Sequence, residues 1–289
     1  MYASTPDWTY RYNFLYDNCT TRILDALKNA SGARLLLSDG KSSATERSEQ
    51  ANPENLITLT YRQMIWKAAY SKSPWVAFGQ DLLLGYEVDQ TLNLSQAATF
   101  PQPAMIWASK ATIIHADGRT ENLVAENDIH MPTNNISVYC FFTPTVVALF
   151  VLLLSLVATI LQWFGHKSFG RLFDNTTLLI QGLTGCIIAF MFFFSAQPSV
   201  DTNMLVWLFN PLPLLYLPIK IKRDAKAKPD YWMPYVQTSL IVITLATCNI
   251  IKGQAINTPM YLFIVSMLIR ALFNCIDQAT FRNKHLKTA

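Results

Sequence analysis

Much of what a soluble enzyme usually displays is missing from this chain. It holds no Gly-rich phosphate loop, no Cys/His spacing suited to zinc and no acidic cluster for a harder cation, so nothing in it calls for a nucleotide, metal or other cofactor. Four histidines are present and none precedes His115. Of five cysteines only Cys19 precedes residue 140, so the region around it cannot close an internal disulfide. The first residues, Met1 to Trp8, have neither a basic n-region nor an apolar h-region, and no signal peptide is read there. Charge is scarce as well: 15% of residues are Asp, Glu, Lys or Arg, against 51% hydrophobic. Beyond residue 134 the charges retreat into short clusters. The net +4 sits mostly in those clusters and reads as membrane topology, not as affinity for nucleic acid.

Against these absences stands the run Y-N-F-L-Y-D-N-C-T-T-R-I-L-D, Tyr12 to Asp25. Asp17 and Asn18 are good helix N-caps, and Ile23, Leu24 and Leu27 follow at the spacing of one buried helical face, so Cys19 is expected in the first turn of a helix. A thiol there meets the positive end of the helix dipole and unpaired backbone N–H groups, which favour the nucleophilic thiolate. Arg22, three residues on, shares that face and adds positive charge. A cysteine beside apolar helix positions also fits a small buried hydrophobe. An unpaired thiol in an exported, oxidising location is a liability unless it is used.

The Cys19 helix should run to about Ala30 and end near Gly32. A polar segment, Ser38 to Asn55, reads as a loop or flexible lid. Glu54 to Tyr70 reads as an amphipathic helix. Ser73-Pro74 opens another, with Trp75, Phe78 and Leu82 on one face and Gly85 as its stop. Thr91 to Trp107, broken by Pro101 and Pro103, is expected to be irregular with one short helix. Ala111 to His115 and Thr120 to Val124 flank Asp117-Gly118 as a hairpin. His115 is expected to be solvated there, with nothing nearby to orient its ring; a base downstream of the cysteine is the other role open to it.

From Asn134 to His166 no residue is charged, and Thr145 to Phe164 is long enough to cross about 30 Å of hydrocarbon. Four further runs follow: Asn175 to Val200, Thr202 to Ile219, Tyr231 to Ile251, and Gly253 to Ile269 continuing to Ile276. Five transmembrane helices result, with a domain boundary between residues 134 and 135. Lys167 and Arg171, then Lys220, Lys222, Arg223, Lys226 and Lys228, then Arg282, Lys284 and Lys287 fall on one side. This predicts a cytoplasmic C-terminus and an external N-terminal domain. Such a domain needs an export signal, so the natural protein is expected to begin further upstream. Pro211, Pro213 and Pro218 predict a kinked third span. Arg270 is expected to snorkel towards the basic end, and Cys140, Cys186, Cys248 and Cys275 to be buried apolar residues.

The Y-x-F-x-Y-D-N-C-T-T-R-x-x-D run, the P-W-x-x-F-G-x-D-L-L-L-G run from Pro74 to Gly85 with Asp89 beyond it, and the segment Asn203 to Leu212 together resemble the bacterial lipoprotein N-acyltransferase family with a periplasmic N-terminal domain. The likeness spans nearly the whole chain. It implies an α+β soluble domain over residues 1–134, partial and papain-like (permuted), followed over residues 135–289 by an all-α bundle of five transmembrane helices in the bacterial inner membrane. It also implies an acyltransferase. Cys19, supported by Asp17, Asn18 and Arg22, takes a fatty acyl chain from a membrane phospholipid as a thioester and passes it to the N-terminal amine of a lipoprotein. In that family the general base is a histidine upstream of the cysteine, which this chain lacks. A membrane-bound cysteine peptidase or amidase, and a non-catalytic scaffold that binds lipoproteins, are the other readings of the same residues.

Overall fold

Where no water reaches the backbone, its N–H and C=O groups must bond to one another, and an apolar run of some twenty residues becomes a helix. The structure, a computed structural model, describes residues 12–30, 35–37, 59–70, 72–92, 99–115, 117–125, 141–197, 199–226, 228–230 and 232–288. The chain divides into two compact units, one formed by Met1–Met64 with Gln90–Ile136 and the other by Ile65–Asp89 with Ser137–Ala289. The expected loop from Ser38 to Asn55 lies outside the described residues, as do Gly32 and Cys140.

In the first unit, α1 (Cys19–Ala30) and α4 (Pro101–Lys110) pack through Leu24, Leu27, Ala104 and Ala108. The one short helix expected within Thr91 to Trp107 is α4, which runs on to Lys110; residues 93–98 lie outside the described residues. Pro101 and Pro103 fall in the first turn of a ten-residue helix, where a missing N–H costs nothing. Ala111 turns extended and leads directly into strand β2 (Ala111–Ile114), which pairs antiparallel with β3 (Thr120–Asn122). A third strand that the sequence reading omitted, β1 (Leu35–Leu37), pairs with the other edge of β2, Leu36 opposite Thr112. The hairpin turn is tied by Asp117, whose carboxylate accepts from the Arg119 backbone N–H at 3.0 Å and from the guanidinium at 2.6 Å. Those two bonds, the backbone one first, hold its carboxyl below the usual value. Gly118 supplies the positive φ of 84°.

Helix α2 (Tyr61–Ala69) begins seven residues later than the helix expected from Glu54. Thr60 fixes that start as a capping box: its Oγ1 accepts from the Gln63 N–H, and Gln63 Oε1 accepts from the Thr60 N–H.

The second unit contains five helices long and apolar enough to cross a membrane: Pro144–Trp163, Lys167–Phe194, Met204–Ala225, Met233–Lys252 and Thr258–Ala279. They comprise α5 (Pro144–Trp163), α6 (Lys167–Phe194), a 3-10 turn (Met204–Trp207) leading to α7 (Leu212–Ala225), α8 (Met233–Ala246) with a π turn (Thr247–Lys252), and α9 (Thr258–Thr288). α9 packs on α5 and α8, and α6 on α5 and α7. The third span is broken at Leu208–Pro211, as its prolines predict. The break sits against α6 because Gly182 and Gly185 have no side chain: a Cβ on either would overlap Leu214 or the Asn210 backbone. α6 starts at Lys167, so Lys167 and Arg171 are not loop residues as expected but belong to its first turns. Lys167 lies 3.5 Å from Asp277, and Arg171 donates to the Asp224 carbonyl at 3.1 Å.

Arg270 does not snorkel. It is 3% exposed and forms a bidentate pair with Asp174 at 2.8 and 2.9 Å, with further bonds to Gln162 and Thr159. Cys248 is buried as expected and Cys275 half-buried, but Cys186 faces outward among the apolar residues of the bundle surface.

Helix α3 (Pro74–Leu83) and the turn after it belong to this second unit and lie across the ends of the spans away from the basic clusters. Phe78, Leu82 and Leu83 join the core of Ile188, Leu205, Leu208 and Ile264. Asn203, 1% exposed, donates to the Leu82 carbonyl at 2.9 Å, and Gln254 donates to Asn203 at 3.0 Å and to the Leu84 carbonyl at 3.4 Å. Asp81 accepts from Asn257, which also caps α9 through the Met260 N–H.

Candidate functional site

The site is built by a short loop that hands the chain to α1. Asn13 bonds its own following turn, its side-chain oxygen accepting from the N–H groups of Leu15 and Tyr16 at 3.0 Å. Asn13 and Asp17 then exchange backbone hydrogen bonds at 3.0 and 3.1 Å. This loop turns Leu15 inward, 1% exposed, and leaves Asn18 at the N-cap.

Asn18 does more than cap. Its Oδ1 accepts from the N–H groups of Thr20 at 2.9 Å and Thr21 at 3.1 Å, and its Nδ2 donates to the Phe14 and Thr99 carbonyls, each at 3.1 Å. All four hydrogen-bonding positions of the amide are therefore filled, at 8% exposure. Thr21 returns the cap by accepting from the Asn18 N–H at 2.9 Å. The bond to Thr99 ties the start of α1 to the residues just before α4. Sequence reasoning missed Thr99 because the group used is a main-chain carbonyl, which carries no residue signature. Replacing Asn18 with alanine should cost roughly 1–2 kcal/mol from the cap, with a further loss from the stranded Thr99 carbonyl. Asn18→Asp keeps the acceptor but not the donors and should fall between the two. Thermal unfolding of the purified chain in detergent measures both.

Cys19 is the first residue of α1, where the sequence pattern puts it, and its thiol is free and exposed. Arg22 is held by Asp17 in a forked pair, Nε to Oδ1 at 2.5 Å and Nη2 to Oδ2 at 2.6 Å. The guanidinium charge is thus countered within one turn. Asp17 and Arg22 act together as a brace across the loop–helix junction. Both are about two-fifths exposed, so the brace orients more than it stabilises. Tyr16 meets Tyr61 edge to face at 6.3 Å, and Tyr61 packs on Phe100 at 6.0 Å, closing the apolar side of the same junction.

His115 has an orienting partner, contrary to expectation: its Nε2 lies 2.8 Å from Glu121 Oε1 across the hairpin, with the ring still 41% exposed. Among the described residues no group of three His, Cys, Asp or Glu side chains gathers as a metal site.

Two family models match this chain. The one described as Lnb transmembrane domain covers residues 135–281, just over half of the chain, and the one described as Lnb N-terminal periplasmic domain covers residues 6–62, which include the whole Asn13–Arg22 junction. No curated protein and no solved structure matches it.

Proposed function

The chain belongs to the Lnb family, and we propose that it is a membrane-bound cysteine acyltransferase of lipoprotein biogenesis, with Cys19 as nucleophile. The observation that carries this reading is the Asn18-capped helix that begins on an exposed thiol, within the segment matched by the periplasmic-domain model. The donor is a phospholipid and the acceptor the N-terminal amine of a lipoprotein. The Cys19 thiolate attacks the carbonyl carbon of a phospholipid ester, the C–O bond breaks, and the lysophospholipid leaves as its alcohol after taking up a proton. The acceptor amine then attacks the thioester, forming an amide and returning the thiol. The same sulfur thus attacks as the thiolate in the first step and is the leaving group of the second.

Both substrates are anchored in a bilayer, so five spans and a periplasmic thiol bring reactants together that diffusion in water would not. The basic clusters at one end of the spans support a cytoplasmic C-terminus, and the proposed substrates an inner-membrane location. A permuted papain-like arrangement of the soluble domain belongs to the same reading. Its upstream histidine has no counterpart before His115. His115, held by Glu121, is the candidate base among the described residues, for a proton transfer worth roughly 10²- to 10⁴-fold in rate.

The test is acyl labelling. With phospholipid radiolabelled in its acyl chain, the chain should acquire a label that neutral hydroxylamine removes, and adding a lipoprotein should move that label onto it. Cys19→Ala should acquire none, and Cys19→Ser should lose transfer by at least 10³-fold. An unlabelled wild type, or equal labelling of Cys19→Ala, would end the proposal.

A further inference from the structure

The end of the bundle that carries the basic clusters holds an open cavity of about 150 Å³, lined by charged and amide side chains together with apolar ones such as Phe173, Met233 and Met267. At one extreme it is lined by Gln181 and Gln237, buried and bonded to each other at 2.7 Å; at the other it reaches the exposed Lys167 and Lys228. Charges inside a membrane span are retained only when paired or used. Most of those lining this cavity are paired: Arg270 with Asp174, and Lys220 with Asp224 at 2.9 Å.

Asp230 is different. It is 5% exposed, and its Oδ1 accepts from the Tyr216 hydroxyl at 2.7 Å and, at longer range, from the Trp232 and Met233 N–H groups. Its Oδ2 is buried without a partner among the described residues, and so is the side-chain oxygen of Gln278, which lines the same cavity. Both orphans are acceptors, so the group they lack is a hydrogen-bond donor, and the carboxylate favours a positively charged one. Two such oxygens are too few for a hard metal cation, which takes about six or more. The cavity also offers donors. Arg171 uses one N–H on the Asp224 carbonyl and keeps others, and Lys228 stands at the mouth.

Acceptors for an ammonium beside donors for an anion, in a space of this volume at the level of the span ends, match a zwitterionic headgroup. We infer that this cavity holds the phosphoethanolamine headgroup of a phospholipid from the leaflet on the basic side, its ammonium on Asp230 and Gln278 and its phosphate on Arg171 and Lys228. The lipid joins α6, α7, the 228–233 connection and α9 at the bundle end remote from α3. It is therefore a bound structural lipid, distinct from any acyl donor used on the periplasmic side, and its presence does not depend on the chemistry of Cys19.

Delipidated full-length protein in detergent, titrated with phosphatidylethanolamine, phosphatidylcholine or phosphatidylglycerol and read by native mass spectrometry, tests this. Phosphatidylethanolamine should be retained at least tenfold more tightly than phosphatidylcholine, which has no N–H to donate, and than phosphatidylglycerol, which has no ammonium. Asp230→Asn keeps the Tyr216 bond and removes the charge, so it should abolish that preference; Lys228→Gln should weaken retention of phosphatidylethanolamine and phosphatidylglycerol alike. If Asp230→Asn does not fold, Gln278→Leu, which removes the other acceptor, should lower phosphatidylethanolamine retention several-fold. Equal retention of the three lipids, or unchanged selectivity in the acceptor variant, overturns the assignment.

Discussion

Arg270→Leu is expected to destabilise the membrane unit by about 3–5 kcal/mol, because it leaves the Asp174 carboxylate buried in the bundle without its counter-ion. Asp174 is only 13% exposed at its side chain, and what remains to it is one bond from Asn274 Nδ2 at 2.8 Å. Gln162 Oε1 and Thr159 Oγ1 lose their donor at the same time. Most of that cost comes from the orphaned charge and not from the net worth of the pair, so a second change makes the prediction discriminating. Arg270→Met with Asp174→Leu removes both charges together and should recover most of the loss, since an apolar pair of similar volume is often neutral or better at a buried site. Thermal unfolding of the three proteins in the same micelles measures it. A double variant no more stable than Arg270→Leu would mean that the pair is worth more than its desolvation costs.

That pair also shows what the chain disclosed on its own. Sequence patterning found the five spans because backbone satisfaction in hydrocarbon leaves a long apolar run little choice. It could not see that Arg270 turns inward, because its partner lies 96 residues away and Asp174 falls just outside the charge-free run by which the second span was recognised. The same bias moved the start of α6: Lys167 and Arg171 looked like loop charges, but a helix can carry cations into its first turn when Asp277 and the Asp224 carbonyl receive them. At the candidate site, the local grammar of Asp17-Asn18-Cys19 was readable, cap and first turn included. The Thr99 carbonyl and the Glu121 partner of His115 were not, the first because it is main chain and the second because a cross-strand pair depends on register. The α3 segment was read as a helix ending at Gly85, yet nothing in its pattern announced that it packs on the spans.

Gly85 is where that packing is least forgiving, and Gly85→Ala is expected to detach the segment. A Cβ at this position would overlap the Thr202 side chain and the backbone at Thr202 and Asn203, which cannot swing aside as a flexible side chain could. Relief requires the strand of chain to move out, and with it go the bonds from the Gly85 N–H to the Ser199 carbonyl at 2.7 Å and from Asn203 to the Leu82 carbonyl. Overpacking of about 1–3 kcal/mol and roughly 1 kcal/mol for each of the two lost hydrogen bonds make a total on the order of 3–5 kcal/mol. Asn203 and Gln254, each 1% exposed, would then be left with fewer partners, so a small shift does not relieve the cost. Gly79→Ala is the matched control on the same helix: nothing lies within 4 Å of its added methyl, and alanine should be neutral or stabilise α3 by up to about 1 kcal/mol. Hydrogen exchange separates the outcomes. In Gly85→Ala the amides of Gly85 and Tyr86 should lose protection by about 100-fold while those of α5 and α9 keep theirs, and unchanged protection at Gly85 would show that the contact yields more easily than its backbone composition implies.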